Sequence, residues 1–233
     1  MAIKITWHII LLGFCIFLLM PTSAPALVIN EIHFNPSLVG DDDGEFLELY
    51  NEEADIVDLM GYTMGGISVD LQGIKVEAGG FVVLASEPVD DGDTDSDSFD
   101  TIYGNGDSLL TEFHFPVIDF TGSLANTGEV LILYGPGGGV VDLYDYTPFV
   151  RSNADGGRFS VERIDPMLPS GDANFRVSET SGGTPGMWNS AAGTISSWDV
   201  TPVPEPSTWI LLATGLFLNI WRREPIITKK QKL

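Results

Sequence analysis

The chain has 233 residues, with 11 Lys or Arg against 33 Asp or Glu and a formal net charge of −22. That length holds one medium domain or two small ones, and the charge argues against nucleic acid or anionic lipid as a partner of the body. The single cysteine, Cys15, lies in an apolar N-terminal run, so whatever follows must be held by its core without disulfides.

The first 26 residues run from a basic start at Lys4 through an apolar stretch, Ile5–Met20, to Pro21 and the small-residue close Ala24-Pro25-Ala26. This is the plan of a secretory signal peptide over 1–26, an apolar helix to be cut by signal peptidase after Ala26, with Ala24 and Ala26 marking the site. Cys15 follows Phe14 rather than a small residue, so it does not read as a lipoprotein acylation site. The body from Leu27 to Val203 carries 31 acidic residues against five basic ones, Lys75, Arg151, Arg158, Arg163 and Arg176. It is long enough to bury roughly 70% of its unfolded surface.

Leu27–Asn51 reads as two short strands joined by a Gly/Asp-rich connection. Period-two alternation puts Val28, Ile32 and Phe34 on one face of the first strand. In the second, Leu47 and Leu49 share one face, and Phe46, Glu48 and Tyr50 the other. Asn35-Pro36 ends the first strand, because proline donates nothing to a ladder. Ile56, Leu59 and Gly61-Tyr62 mark a turn into a strand, Ile74–Glu77 alternates, and Ala78-Gly79-Gly80 is a turn. Phe81–Ala85 (FVVLA) is nearly all apolar and reads as a strand buried on both faces. Glu87–Ser108 is the longest irregular stretch, with six aspartates from Asp90 to Asp100, and is expected to be the most mobile part of the body without metal. Val130–Tyr134, the turn Gly135–Gly139 and Val140–Tyr146 form a β-hairpin. Arg158–Ile164 is a further strand, with Phe159, Val161 and Arg163 on one face.

Strands every 10–15 residues, Gly-rich turns and no helical periodicity predict an all-β sandwich over 27–189. Its core should contain Ile32, Leu47, Leu49, Val83 and Leu131. A polar linker, 190–203, follows. The last segment, 204–233, opens with Pro204-Glu205-Pro206, continues with the apolar Trp209–Trp221 and then carries Arg222-Arg223. Its apolar run is shorter than the roughly 20 residues of a spanning helix.

Two resemblances sharpen this reading. Val28-Ile29-Asn30-Glu31-Ile32 with Asn35-Pro36, then Glu45-Phe46-Leu47-Glu48-Leu49-Tyr50-Asn51, resemble the opening of the lamin tail domain family. Later segments follow in that family's order: Ile56 and Leu59 with Gly61-Tyr62, Ala78–Ala85, Phe120–Glu129, Asn174-Phe175 and Gly183-Thr184-Pro185-Gly186. The resemblance implies an immunoglobulin-like β-sandwich. The C-terminal segment resembles the PEP-CTERM sorting signal, which implies an exosortase-type protease as a partner besides signal peptidase. It also implies a transient hydrophobic helix in the inner membrane and final residence in the envelope, surface or matrix of a Gram-negative bacterium. Pro204, Glu205 and Pro206 would then face outward, and Arg222 and Arg223 the cytoplasm.

Four constellations bear on chemistry. Asp91, Asp93, Asp95 and Asp97 offer carboxylates at every second residue, as calcium loops do, although Ser96 and Ile102 stand where an EF-hand needs Gly and Glu. The expectation is no cofactor, with calcium the one possible exception; the alternative is a solvated acidic loop that keeps the protein soluble. Gly106-Asp107-Ser108-Leu109 spells a GDSL nucleophile block, but no histidine follows His114 to serve as its base. His33 and His114 are the only histidines of the body, too few for a zinc centre without carboxylates. His33 is expected half-exposed on its sheet, and His114 solvated. Glu31, Glu45 and Glu48 raise a glycosidase pair, against which stands a role in strand-edge hydrogen bonding and solvation. The reading favoured is a non-catalytic exported module meeting an extracellular polysaccharide or a surface protein. The alternatives are a calcium-dependent adhesin or carbohydrate-binding module, and, less favoured, a secreted hydrolase.

Overall fold

The computed structural model describes residues 27–36, 44–90, 92, 98–104 and 106–192. The signal segment with Ala24 and Ala26, the aspartates Asp91, Asp93, Asp95 and Asp97, and the sorting segment with Pro204, Glu205, Pro206, Arg222 and Arg223 lie outside them. The chain divides into one unit of Met1–Thr194 and another of Ile195–Leu233, and every described residue belongs to the first.

Among the described residues, twelve strands build an immunoglobulin-like sandwich. They are β1 (Leu27–His33), β2 (Phe46–Asn51), β3 (Val57–Asp58), β4 (Thr63–Gly65), β5 (Ser68–Val69) and β6 (Lys75–Val76), then β7 (Phe81–Ala85), β8 (Val117–Thr121), β9 (Val130–Tyr134), β10 (Val140–Asp145), β11 (Phe159–Arg163) and β12 (Phe175–Ser181). The large sheet runs β12-β11-β1-β2-β7-β8-β5, a three-stranded sheet runs β10-β9-β4, and β3 pairs with β6. Pairing is antiparallel except between β7 and β8. One short helix, α1 (Phe99–Tyr103), interrupts the acidic stretch expected to be irregular. Its start is set by Ser98, whose side chain accepts the Thr101 N–H while Thr101 Oγ1 accepts the Ser98 N–H, a reciprocal cap.

The main core lies between the large and the three-stranded sheets. It joins Leu27, Ile29, Ile32, Leu47, Leu49, Val82 and Leu84 to Leu131, Leu133 and Tyr144. A second cluster lies on the outer face of the large sheet, where Phe46, Val83 and Ala85 meet Phe99 of α1. Phe81–Ala85 therefore does feed two cores, one from each face. Val83 is buried as expected, but in this outer cluster rather than between the sheets.

Simple alternation fails in β1. Between Ile29 and Glu31 the register against β2 shifts by one residue, so that Ile29 pairs with Leu49 and Glu31 with Glu48. This β-bulge turns Ile29 inward together with Ile32 and Phe34. Val28 pairs with Tyr50 on the outer side and does not share a face with Ile32. His33 is also corrected: it points outward but is only 3% exposed, packed edge-on against Phe46 with ring centroids 5.4 Å apart.

Next to the bulge, the Ile29 backbone groups are met by side chains. Ile29 N–H donates to Asp142 Oδ2 (2.9 Å), and Arg163 Nε donates to Ile29 O (2.7 Å). Arg163 Nη2 is ion-paired with Asp142 Oδ2 and donates to Ser170 Oγ (2.6 Å), which in turn donates to Asp142 Oδ1 (2.5 Å). The guanidinium lies 4.9 Å from the centroid of Phe175, itself stacked on Tyr144 at 3.6 Å. Arg163 comes from the large sheet and Asp142 from β10, so this buried pair clamps one sheet to the other.

Removing one partner leaves the other charge buried and unmet. Arg163→Met is expected to destabilise the chain by about 3–5 kcal/mol in urea denaturation. The double variant Arg163→Met/Asp142→Leu should recover only part of this, because the Ile29 amide and carbonyl then lose their partners. Full recovery would reduce the clamp to an ordinary ion pair.

Candidate functional site

The outer face of the large sheet carries a row of three glutamates. Glu31 is in register with Glu162 of β11 on one side and with Glu48 of β2 on the other. Like charges directly opposite one another are unfavourable, yet all three are fully buried. What buries them is the chain after β12. Gly182 and Gly183 turn it back over the sheet, and residues 184–191 lie across the row as a strap. Gly183 has φ +80°, and a Cβ there would collide with Glu31 Oε1, so only glycine lets the backbone approach so closely.

The strap satisfies the row donor by donor. Glu31 Oε1 accepts from Ser160 Oγ (2.5 Å) and Thr184 N (2.8 Å). Glu48 accepts from Asn30 Nδ2 (2.7 Å) and Gly186 N (2.5 Å). Glu162 accepts from Thr184 Oγ1 (2.9 Å), Ser190 Oγ (2.8 Å) and Ala191 N (2.7 Å). Asn189 reaches the Asn30 and Arg163 carbonyls (3.1 and 2.8 Å). Trp188 rests on Tyr50 at 5.4 Å between ring centroids and is otherwise exposed. A sandwich ended at Asn189 would omit Ser190 and Ala191, which still belong to this network.

Thr184 Oγ1 also lies 3.3 Å from Glu31 Oε2. A hydroxyl has one proton. If that proton goes to Glu162, the Glu31 contact requires a proton on Glu31 itself. Electrostatics points the same way: burial first, then the neighbouring Glu162, push the Glu31 carboxyl up to about 8. Burial and Glu31 raise Glu48 well above the usual carboxylate range. Beside the row, Tyr103 OH donates to Gly182 O (2.7 Å) and meets His33 Nδ1 at 3.2 Å. The tyrosine proton is thereby used, so His33 Nδ1 is the donor of that pair. Burial lowers His33 to about 4.

These shifts have opposite consequences. Glu31 ionises near 4.5 in the unfolded chain and near 8 in the folded one, so the folded state holds the extra proton between those limits. Stability from this group is full below about pH 4.5 and lost as pH rises through 8. His33 acts in reverse: the unfolded chain takes up its proton near 6.5 and the folded one near 4, so stability rises with pH between them. Above pH 6.5 the histidine is silent. Glu31 alone should therefore lower stability by about 2 kcal/mol between pH 6.5 and 8 in urea denaturation, and Glu48, raised in the same direction, adds to the fall. Glu31→Gln, isosteric with the neutral acid, should make that fall shallower, and an unchanged slope would refute the assignment.

The acidic stretch builds a second place. Asp100 of α1, Asp107 and Glu112 each bring one carboxylate oxygen within 4.8 Å of the others. Asp107 and Ser108 of the GDSL block are exposed; Asp107 Oδ1 accepts Leu109 N–H (2.9 Å), and Ser108 N–H donates to Asp100 Oδ2 (2.8 Å). His114 is exposed, and His33 is engaged by Tyr103. Glu45 is 1% exposed and accepts from Leu124 N (2.7 Å). Thus Glu31, Glu45 and Glu48 are neither solvated nor at a strand edge; they are buried acceptors. Asp100, Glu112, Glu162 and the strap escaped the sequence reading. The available signal was the alternation of Ser160 and Glu162 with the apolar Phe159 and Val161 in β11.

Comparison with family models matches residues 21–148 to the Lamin Tail Domain and residues 202–223 to the PEP-CTERM protein-sorting motif. Comparisons with curated proteins and with solved structures gave no match. The first match covers β1 to β10, whereas β11, β12 and the strap complete the sheet beyond it. The second contains Pro204, Glu205, Pro206, Arg222 and Arg223. It marks the chain for export with exosortase processing, to the cell envelope or surface of a Gram-negative bacterium. With more than half its length matched, the chain belongs to the lamin tail domain family and carries a PEP-CTERM sorting signal.

Proposed function

We propose that this is a non-catalytic surface or matrix protein. Signal peptidase removes 1–26, the sandwich over about 27–189 with its strap forms the working body, and 190–203 leads to a sorting segment, 204–233, that an exosortase cuts. The observation that carries the non-catalytic reading is the sealing of the carboxylates. Glu31, Glu45 and Glu48, the acids a glycosidase would need across a sugar, are buried and occupied by structural donors. A catalytic pair must instead flank an open cleft. His33 is buried against Tyr103 and is not available to Ser108 as a base.

One feature favours a second reading, a carbohydrate-binding module. Trp188 is 63% exposed and stands with Phe81 and Tyr50, at 6.5 and 5.4 Å between centroids. Exposed aromatic faces supply apolar contact area of the kind that sugar rings use. Loss of binding to the host's own exopolysaccharide in Trp188→Ala, with stability retained, would establish it.

The processing claim is tested by intact mass of the protein recovered from its native host. The expected species begins at Leu27 and lacks roughly the last thirty residues. A host without the exosortase should retain them. A species from a normal host that still ends at Leu233 would overturn release by cleavage.

A further inference from the structure

We propose that Asp100, Asp107 and Glu112 form a calcium site, separate from the run Asp91–Asp97 in which alternation alone would place one. The first observation is an orphaned oxygen. Asp100 is fully buried; its Oδ2 accepts the Ser108 N–H at 2.8 Å, but its Oδ1 is buried and has no hydrogen-bond partner. A buried carboxylate oxygen left unmet is strongly unfavourable unless a positive charge reaches it.

The second observation is where that oxygen lies. A Cβ placed on Gly104 would overlap both Asp100 Oδ1 and Glu112 Oε1. The two carboxylate oxygens thus come together against the Gly104 backbone, a place that any side chain at residue 104 would deny them. One oxygen each from Asp100, Asp107 and Glu112 falls within 4.8 Å of the others. Ligands at 2.3–2.6 Å from one ion lie up to about 5 Å apart, so a single calcium spans this set. No Lys or Arg occurs between Lys75 and Arg151, so this acidic segment supplies no Lys or Arg of its own to offset the three carboxylates.

The donors select the ion. Carboxylate oxygens suit a hard cation and disfavour zinc, which prefers nitrogen and sulfur. Magnesium demands near-ideal octahedral geometry and keeps several waters, whereas calcium accepts irregular oxygen sets with some water. The consequence is mechanical. Asp100 sits on α1, whose Phe99 packs in the outer cluster with Phe46 and Val83, and whose Tyr103 holds Gly182 at the start of the strap. A cation bound here fixes α1 against the outer face of the sheet and steadies the strap.

The test is thermal unfolding of the full chain in mild detergent. With EDTA replaced by about 10 mM calcium, and an affinity of about 10⁻⁴ M typical of extracellular sites, Tm should rise by about 5–10 °C. Asp107 is exposed, so Asp107→Asn tests the site without risk to folding; Glu112→Gln gives a second variant. Both should lose most of the rise and should melt in EDTA no lower than the parent, because carboxylate repulsion is relieved. Asp93→Asn/Asp95→Asn should keep the rise. An equal rise with magnesium or with sodium chloride of matched ionic strength would overturn the site. So would a rise retained in Asp107→Asn and Glu112→Gln, or one abolished by Asp93→Asn/Asp95→Asn.

Discussion

One extra residue in β1 governs the arrangement of everything around it. Were β1 paired without interruption, Ile29 and Ile32 would fall on opposite faces of the sheet. The bulge at Asn30 sends both inward and turns Glu31 and His33 outward. Beside it, the Ile29 N–H and C=O take side-chain partners, as buried backbone groups must be paired. These partners are Asp142 and Arg163, which thereby bind the two sheets together. The Asn30 side chain completes the arrangement on the other face, bonding Glu48 and, through Asn189, the strap. Core, clamp and covered outer face thus share one local cause.

A chain of net charge −22 buries three glutamates side by side, an arrangement that like-charge repulsion opposes. Two physical facts resolve it. The strap brings backbone N–H groups and hydroxyls to each carboxylate, so no oxygen loses its water without replacement. At least Glu31 is neutral at ordinary pH, because in that environment the proton costs less than the charge. The body holds no cysteine, so a polar network fastens the last elements where many exported domains use disulfides. Polar networks of this kind specify geometry: the donors of the strap meet the carboxylates of the row only when Thr184, Gly186 and Ala191 lie over Glu31, Glu48 and Glu162.

Most of the fold was legible because its signals are local. The hairpin of β9 and β10 follows from alternation around the Gly135–Gly139 turn, and the burial of β7 on both faces from its unbroken apolar run. The faces of β2 were legible for the same reason. What was not legible depends on long-range pairing. The bulge shows only against β2, since nothing within Val28–Ile32 itself breaks the period. His33 reads as half-exposed until Tyr103, seventy residues on, covers it. Glu31 and Glu48 read as solvated until a strap more than a hundred residues away closes over them. In the acidic stretch, regular Asp spacing drew attention to residues 91–97. Asp100, Asp107 and Glu112 have no such rhythm and meet only because α1 and the turn after Gly104 fold back together.

The residues that carry the family resemblance are the ones the fold consumes. Asn30, Glu31 and Glu48 of the opening motif hold the strap. Asn51 donates to the carbonyls of Asp55, Val76 and Glu77, tying β2 to the following turn. Glu129, at the end of the Phe120–Glu129 segment, accepts from Ala125 N–H and Tyr146 OH and closes its own loop. Residues spent in this way specify a sandwich but leave no reactive group exposed. A match built on them establishes the architecture and does not choose a ligand. Any individual role must therefore come from what the shared pattern leaves free: the acidic stretch between β7 and β8, the exposed ring of Trp188, and the sorting segment that determines where the sandwich is delivered.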